Sequence, residues 1–564
     1  QLAEIRMMKL SWAIREKQDW QEKMKRKEVL AKWKKEAVAS QKNEPRDVKL
    51  THNMINYVFK ELEAYAKLTD KSSGIQHACN DATFYSYKLL SSELVEALRA
   101  GFKRLEDVPE AEKDWHPGSN HQVLDLVHPS LYCLVYGRTL VRDANGTTSL
   151  ATVDLDKLAI AGDSNFASEK FAWLPSDFYV EDDGQVRLTS SYINNLHKSH
   201  VELYDIIPKI LSRFIPMFER VLGAIDKTDR PRTHGSFLGN REHYLSSTER
   251  DEALFIREYV PLPGRIKTDE NGIIPCFWGT LEARSPREAE DGSGDEDDED
   301  EDPAVVRAWA LGRSEIALPQ APKTYEGALE RDFRIVNLRG RTVQCIVKLA
   351  NIHLTPKMPK YPGGNWHVEG MMNERIVATG IYYLDSENIS ESRLEFRTAT
   401  ADPYPHEQDD ELCMDILFGQ GEETPLIQER GSIATSGGLA LAFPNIYQHR
   451  VAPFELVDRT KPGHRKILAF FLVEPNERIT STTDVAPQQM EWMEDELHTM
   501  TDKTGGVSFG NLPRELQSLV LAETGLMTQQ EAKQIRKELM KERSQNVDQF
   551  NHRLDSAKFN MCEH

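Results

Sequence analysis

From Val336 to about residue 490 the chain breaks into short β-type runs punctuated by Gly, Pro, Asn and Asp, and this pattern constrains the fold more than any other feature. It predicts strands near 342–354, 365–369, 375–385, 393–397, 431–436, 439–444, 447–457 and 465–474. Eight short strands in about 140 residues fit a double-stranded β-helix, the jelly-roll or cupin-like arrangement of two facing sheets.

The flanks read differently. Leu10, Ile14, Trp20, Met24, Leu30 and Trp33 recur near helical spacing, and Ser91–Arg104 is rich in Ala, Leu and Glu, so helices are expected through residue 112. Val201–Gly223 has the length of a buried helix, which Pro208 and Pro216 should kink or break. Leu512-Pro513 opens a helix in the tail, and Thr528-Gln529-Gln530-Glu531 is a capping box for another. The expected organisation is α+β: a helical region over 1–112, a mixed region over 113–335, the strand-rich core over 336–490 and a helical tail over 491–564.

Composition sets limits on partners and compartment. The net charge of −20 disfavours general nucleic-acid binding, which depends on neutralising phosphates. Part of that charge is local, because residues 288–302 carry eleven acidic side chains and no basic one. Such a run repels itself and reads as a solvated loop, with a basic partner as its candidate ligand. The Lys-rich face of residues 23–35 reads as solvated, because Glu16, Glu22, Glu28 and Glu36 are interspersed. The six cysteines are scattered without a CxxC pair, which points to a reducing compartment: cytoplasm, with the nucleus as alternative. No stretch approaches the roughly 20 apolar residues of a membrane span, so no membrane association is expected. Gln1-Leu2-Ala3-Glu4 shows no leader pattern and no Met, so the natural start is expected to lie upstream.

The chemistry concentrates in two segments. Asn365-Trp366-His367-Val368-Glu369 supplies an H-x-E pair, whose side chains share one face if the segment is a strand. Gln448-His449-Arg450 then places a histidine early on a later strand. Two His and one carboxylate with open positions are the ligand set of non-haem Fe(II) oxygenases, so His367, Glu369 and His449 are the expected metal-binding and catalytic residues. Arg465, sixteen residues after His449, opens an apolar strand and suits bidentate capture of a carboxylate. Asn351 and Tyr382 (or its neighbour Tyr383) are candidates to hydrogen-bond the same cosubstrate, with packing as their other role. His116, His121, His128, His197 and His200 match no tight ligand spacing and read as structural or pocket-lining histidines.

These segments resemble the prolyl-hydroxylase-type branch of the 2-oxoglutarate oxygenases, as do Ile381–Asp385, Arg393–Phe396 and Leu441–Pro444. Over roughly residues 10 to 495 the chain more closely resembles a large, mainly fungal family of uncharacterised proteins. The stretches that carry this likeness include Lys113–Ser119, Val123–Leu131, Tyr192–His197, Val347–Pro356 and Thr460–Leu468. The oxygenase resemblance implies Fe(II) at the triad, 2-oxoglutarate held by Arg465, and O₂-driven hydroxylation of a small-molecule or peptide substrate with release of succinate and CO₂. It also exposes a departure, since Glu369 stands where Asp is commoner. The rival readings are a JmjC-like protein hydroxylase or demethylase, a silent barrel kept as a binding module, and a zinc hydrolase on a cupin-like barrel.

Overall fold

The structure is a computed structural model that describes residues 2–42, 49–158, 166–225, 259–261, 314–316, 321–401, 418–421, 423–504, 509, 512–522 and 525–560. The acidic run 288–302 lies outside the described residues.

The main helices among the described residues are α1 (Leu2–Arg15), α2 (Lys27–Ser40), α3 (His52–Leu68), α4 (Ser92–Glu106), α5 (Val201–Ile225), α6 (Met490–Thr504), α7 (Arg514–Ala522) and α8 (Gln529–Ser556). Side-chain oxygens start several of them: Thr51 accepts from Met54 N–H, Ser91 from Leu94 N–H and Thr528 from Glu531 N–H. The main strands are β1 (Gln76–His77), β2 (Phe84–Ser86), β3 (Val123–Val127), β4 (Ser176–Val180), β5 (Val186–Leu188), β6 (Arg341–Leu354), β7 (Ile376–Glu387), β8 (Arg393–Ala399), β9 (Ile427–Ala434), β10 (Ala440–Pro444), β11 (Gln448–Val451) and β12 (Gly463–Val473).

Nine strands form one sheet in the order β1-β2-β10-β7-β12-β6-β4-β5, with β3 also pairing β6. A second sheet has the order β9-β8-β11. The molecule is thus α+β, as expected. The large sheet draws five strands from the first 190 residues, which the helical and mixed character of those regions did not reveal.

Strand periodicity explains how the sheet buries both faces. Leu468, Phe470 and Leu472 of β12 join Val343, Cys345 and Val347 of β6 in a core packed against α5. Ala469 and Phe471 point the other way, into a core shared with Leu394, Phe396 and Ile433 of the second sheet. Gly380 on β7 marks how closely α5 approaches, because a Cβ there would lie 2.8 Å from the Phe214 ring and 2.9 Å from Phe218.

Helix α5 is continuous through Pro208 and Pro216, so the break that the prolines could have caused does not occur. Each interior proline costs about 3 kcal/mol. Burial of Ile206, Ile207, Ile210, Leu211, Phe214, Phe218 and Val221 at about 1.5–3 kcal/mol each outweighs that loss.

One correction concerns residues 365–369, which form no strand. Only His367 pairs, in an isolated bridge with His449. Pro362-Gly363-Gly364 precedes it, and Gly363 has φ of +95° with Val451 O only 2.9 Å from where a Cβ would stand. The glycine lets this loop lie against β11, and Gly370 at φ +70° turns it away again. The predicted strand 447–457 is likewise divided at Ala452-Pro453, between β11 and a two-residue strand Phe454–Glu455.

No helix among the described residues is long and apolar enough to cross a membrane.

Candidate metal centre

The bridge between His367 and His449 sets the site. His367 N–H donates to His449 O at 3.2 Å, and His449 N–H donates to His367 O at 2.9 Å. Glu369 is fixed by Asn445, whose Oδ1 accepts from Glu369 N–H at 2.8 Å while Nδ2 donates to Glu369 O at 2.9 Å. Asn445 follows the Phe443-Pro444 strand end, a turn signal in the sequence, but its role as a staple for the ligand loop was not legible there.

Three candidate ligand atoms converge. Nε2 of His449 and Nε2 of His367 lie 3.4 and 3.8 Å from Oε1 of Glu369. Ligand atoms about 2.1 Å from a shared ion stand roughly 3.0–3.4 Å apart, so the group needs to close only slightly around a metal. Nδ1 of His367 faces Asn365 O at 2.8 Å, which puts its proton on Nδ1 and leaves Nε2 free to ligate. His449 is buried under the Phe443 ring, with Nδ1 toward Tyr447 O but without a well-formed hydrogen bond.

The electrostatics agree with a carboxylate between two imidazoles. Burial alone would push the Glu369 carboxyl up, but His367 and His449 hold it well below the usual range. Burial depresses His449, and the neighbouring His367 adds to that. At His367 burial also opposes the charge, but Glu369 prevails and raises it.

Arg465 opens into the space between the two sheets. It is 3% exposed, and no carboxylate pairs with it among the described residues. Nη1 donates to Ser392 Oγ at 2.6 Å, Nε has no partner, and the guanidinium carbon lies 5.3 Å from the Tyr383 ring and 5.5 Å from Phe454. Burial lowers its pKa, with Tyr383 and Tyr361 acting the other way.

Two candidates point elsewhere. Asn351 is opposite Lys466, one register step from the Ile352–Arg465 pair, so it faces away from Arg465 and donates to Glu106 Oε1 at 2.7 Å. Tyr382 packs in the α5-side core, whereas Tyr383 lies beside Arg465. Of the two tyrosines that the sequence left open, Tyr383 is the one on the Arg465 side. Arg397 and Arg450 are engaged locally: Arg397 donates to Gln448 Oε1, Arg450 pairs with Glu395, and both stack on Trp366.

A cavity of about 940 Å³ opens on His367 and Glu369. His367 and Glu369 line one part, His116 and His128 another, and Phe166, Trp173, Met371 and Met540 supply apolar wall. His116, Asp125 and His128 form a second group of potential ligands, which sequence spacing concealed because His116 and His128 flank β3 while Asp125 lies on it. Its wiring differs from that of the triad. His116 Nδ1 lies 2.7 Å from Asp125 Oδ2, and His128 Nδ1 accepts from Ser130 N–H at 3.1 Å, which leaves the proton of neutral His128 on Nε2. Within this group only His116 and Asp125 are hydrogen-bonded to each other; Asp125 Oδ1 has no partner, and Arg536 lies 3.5 Å from Oδ2.

The described chain is therefore an α+β protein with a His/Glu/His group fit to hold a metal. It belongs to the family of proteins of unknown function DUF4246, which matches over residues 52–496. No curated protein sequence matches. Among solved structures, IDO from Bacillus thuringiensis is 10% identical, with TM-score 0.16, over 24% of this chain and 48% of that one. A selenomethionine-labelled Fe(II)/α-ketoglutarate-dependent dioxygenase, TqaL, is 17% identical, with TM-score 0.16, over 28% and 54%. A bsmA homologue from Methylobium petroleophilum is 11% identical, with TM-score 0.14, over 24% and 42%. The chain thus spans about half the length of these structures, and likenesses this slight carry no weight in the assignment.

Proposed function

We propose that this protein is a non-haem Fe(II) and 2-oxoglutarate-dependent oxygenase on a double-stranded β-helix core. In chain order the segments alternate between the sheets: β6 in the large sheet, the His367 bridge in the small, β7 large, β8 and β9 small, β10 large, β11 small, β12 large. That alternation supports the β-helix reading.

The donor set suits Fe(II), with two neutral imidazoles and one carboxylate leaving positions for cosubstrate and O₂. Arg465 is the observation that carries the 2-oxoglutarate reading. A buried cation without a counter-charge is costly, on the order of several kcal/mol, and a ligand carboxylate at its unpartnered Nε edge offsets that cost. A zinc hydrolase would leave this guanidinium unexplained.

His367, Glu369 and His449 would hold the metal, and Arg465 the far carboxylate of 2-oxoglutarate. Iron held there would supply, with 2-oxoglutarate and O₂, the oxidising chemistry for hydroxylating a substrate C–H bond, with succinate and CO₂ as the products of the keto acid. The chain's own residues position and shield. Ser392 Oγ holds Nη1 and fixes the guanidinium fork, while the Tyr383 and Phe454 rings keep water from it. Asn445 keeps the Glu369 backbone from drifting when the carboxylate ligates. The cavity lies within the volume range of small-molecule sites, about 300–1,000 Å³, and its aromatic and methionine wall favours a largely apolar small molecule over a peptide.

Protein purified anaerobically and loaded with Fe(II) should release succinate from 2-oxoglutarate, and zinc-loaded protein should not. Succinate release absent under every metal tested contradicts the proposal.

A further inference from the structure

Helix α8 lies beyond the stretch that the family match covers, yet it reaches the metal-binding segments. Arg536, Met540, Arg543, Val547 and Asn551 recur at helical spacing, so one face carries them all. Arg536 pairs with Asp114, Arg543 pairs with Glu374, and Met540 and Val547 line the cavity.

Asn551 does something more specific. Its Nδ2 donates to Trp366 O at 3.0 Å, and its Oδ1 accepts from Gln448 Nε2 at 2.7 Å and from Arg397 Nη2 at 3.0 Å. Trp366 immediately precedes His367, and Gln448 immediately precedes His449. One side-chain amide therefore ties together the two segments that carry the imidazoles. The circuit closes through Arg397, which donates to Gln448 Oε1 at 2.7 Å and stacks 4.8 Å from the Trp366 ring.

We infer that Asn551 is a positioning residue for the metal centre: it locks the His367 and His449 segments in register, so that full metal affinity requires the C-terminal helix. This rests on the reading of His367, Glu369 and His449 as metal ligands. An amide is needed because the site demands both a donor, for a backbone carbonyl, and an acceptor, for two side chains. Asn445 already fixes Glu369 from the other side, so the two asparagines between them hold all three ligand segments.

The test uses the full chain and Co(II) alone as probe, titrated anaerobically and followed by its visible spectrum. Outer partners of metal ligands typically contribute about 10–100-fold in affinity. Asn551→Ala is expected to weaken Co(II) binding by about that factor and to alter the band shape, whereas Gln545→Ala, an exposed site on the same helix, should change neither. Asn551→Asp keeps the acceptor and loses the donor, so its spectrum should shift as well; being nearly isosteric, it decides the matter alone if the Ala variant does not fold. Wild-type affinity and spectrum in a folded Asn551 variant overturn the inference. Absence of Co(II) binding by the wild type instead overturns the metal site on which it rests.

Discussion

His367 and His449 are joined through both of their backbone hydrogen-bonding groups, with their ring centroids 4.4 Å apart. A two-residue bridge of this kind fixes the imidazole origins by main chain, and leaves only the rings to adjust around an ion.

One expectation concerns metal stoichiometry. His367→Ala and His449→Ala should each abolish binding while the protein stays folded. His116→Ala should leave one tightly bound ion per chain, because Asp125 Oδ2 and His128 Nδ1 are already taken up by hydrogen bonds to His116 and Ser130. Metal analysis after dialysis checks both. Two ions per wild-type chain, falling to one in His116→Ala, would assign the second group to metal instead.

A pH effect follows from His353, whose pKa burial lowers to about 4, with His464 adding to the effect. The unfolded chain takes up this proton near pH 6.5 and the folded chain does not. Stability from this group is therefore present above about pH 6.5 and lost as pH falls toward about 4, by up to about 1.4 kcal/mol per unit. His353→Gln should show a shallower loss than wild type between pH 6.5 and 4.5 in urea unfolding. Parallel curves would show that His353 titrates normally.

Much of the core was legible because it rests on period-two patterning: β6, β7, β8, β10 and β12 fall within a few residues of their predicted positions. What escaped depends on partners distant in sequence. The two-residue strand β1 and three-residue strand β2 are too short to show periodicity, and join the sheet only because β10 offers an open edge. The H-x-E segment was read as a strand because its side chains alternate, yet its glycines make it a loop with a single pairing residue. Which face of its strand each candidate takes was not legible either: Asn351 faces away from Arg465, and of the two tyrosines left open it is Tyr383, not Tyr382, that lies beside it. Asn551, in a tail with no β character, carried no signal at all.

The acidic run at 288–302 offers a deletion test. Its eleven like charges cannot bury a core, so its removal should leave the melting temperature and Co(II) affinity nearly unchanged. A fall of many degrees would mean that the run is anchored, with the basic residues 23–35 as first candidates.

The most direct measurement is anaerobic titration of 2-oxoglutarate into Fe(II)-loaded protein, following the metal-to-ligand charge-transfer band. The wild type should develop the band. Breaking a buried, hydrogen-bonded charge pair typically costs about 3–5 kcal/mol. Arg465→Ala should therefore bind 2-oxoglutarate at least about a hundredfold more weakly while retaining its iron, at about 1.4 kcal/mol per tenfold. Arg465→Lys should recover only part of the loss, because a point charge lacks the fork. Unchanged affinity in Arg465→Ala would move the carboxylate to another cation, with Lys348 next, and no band in the wild type would contradict the oxygenase assignment itself.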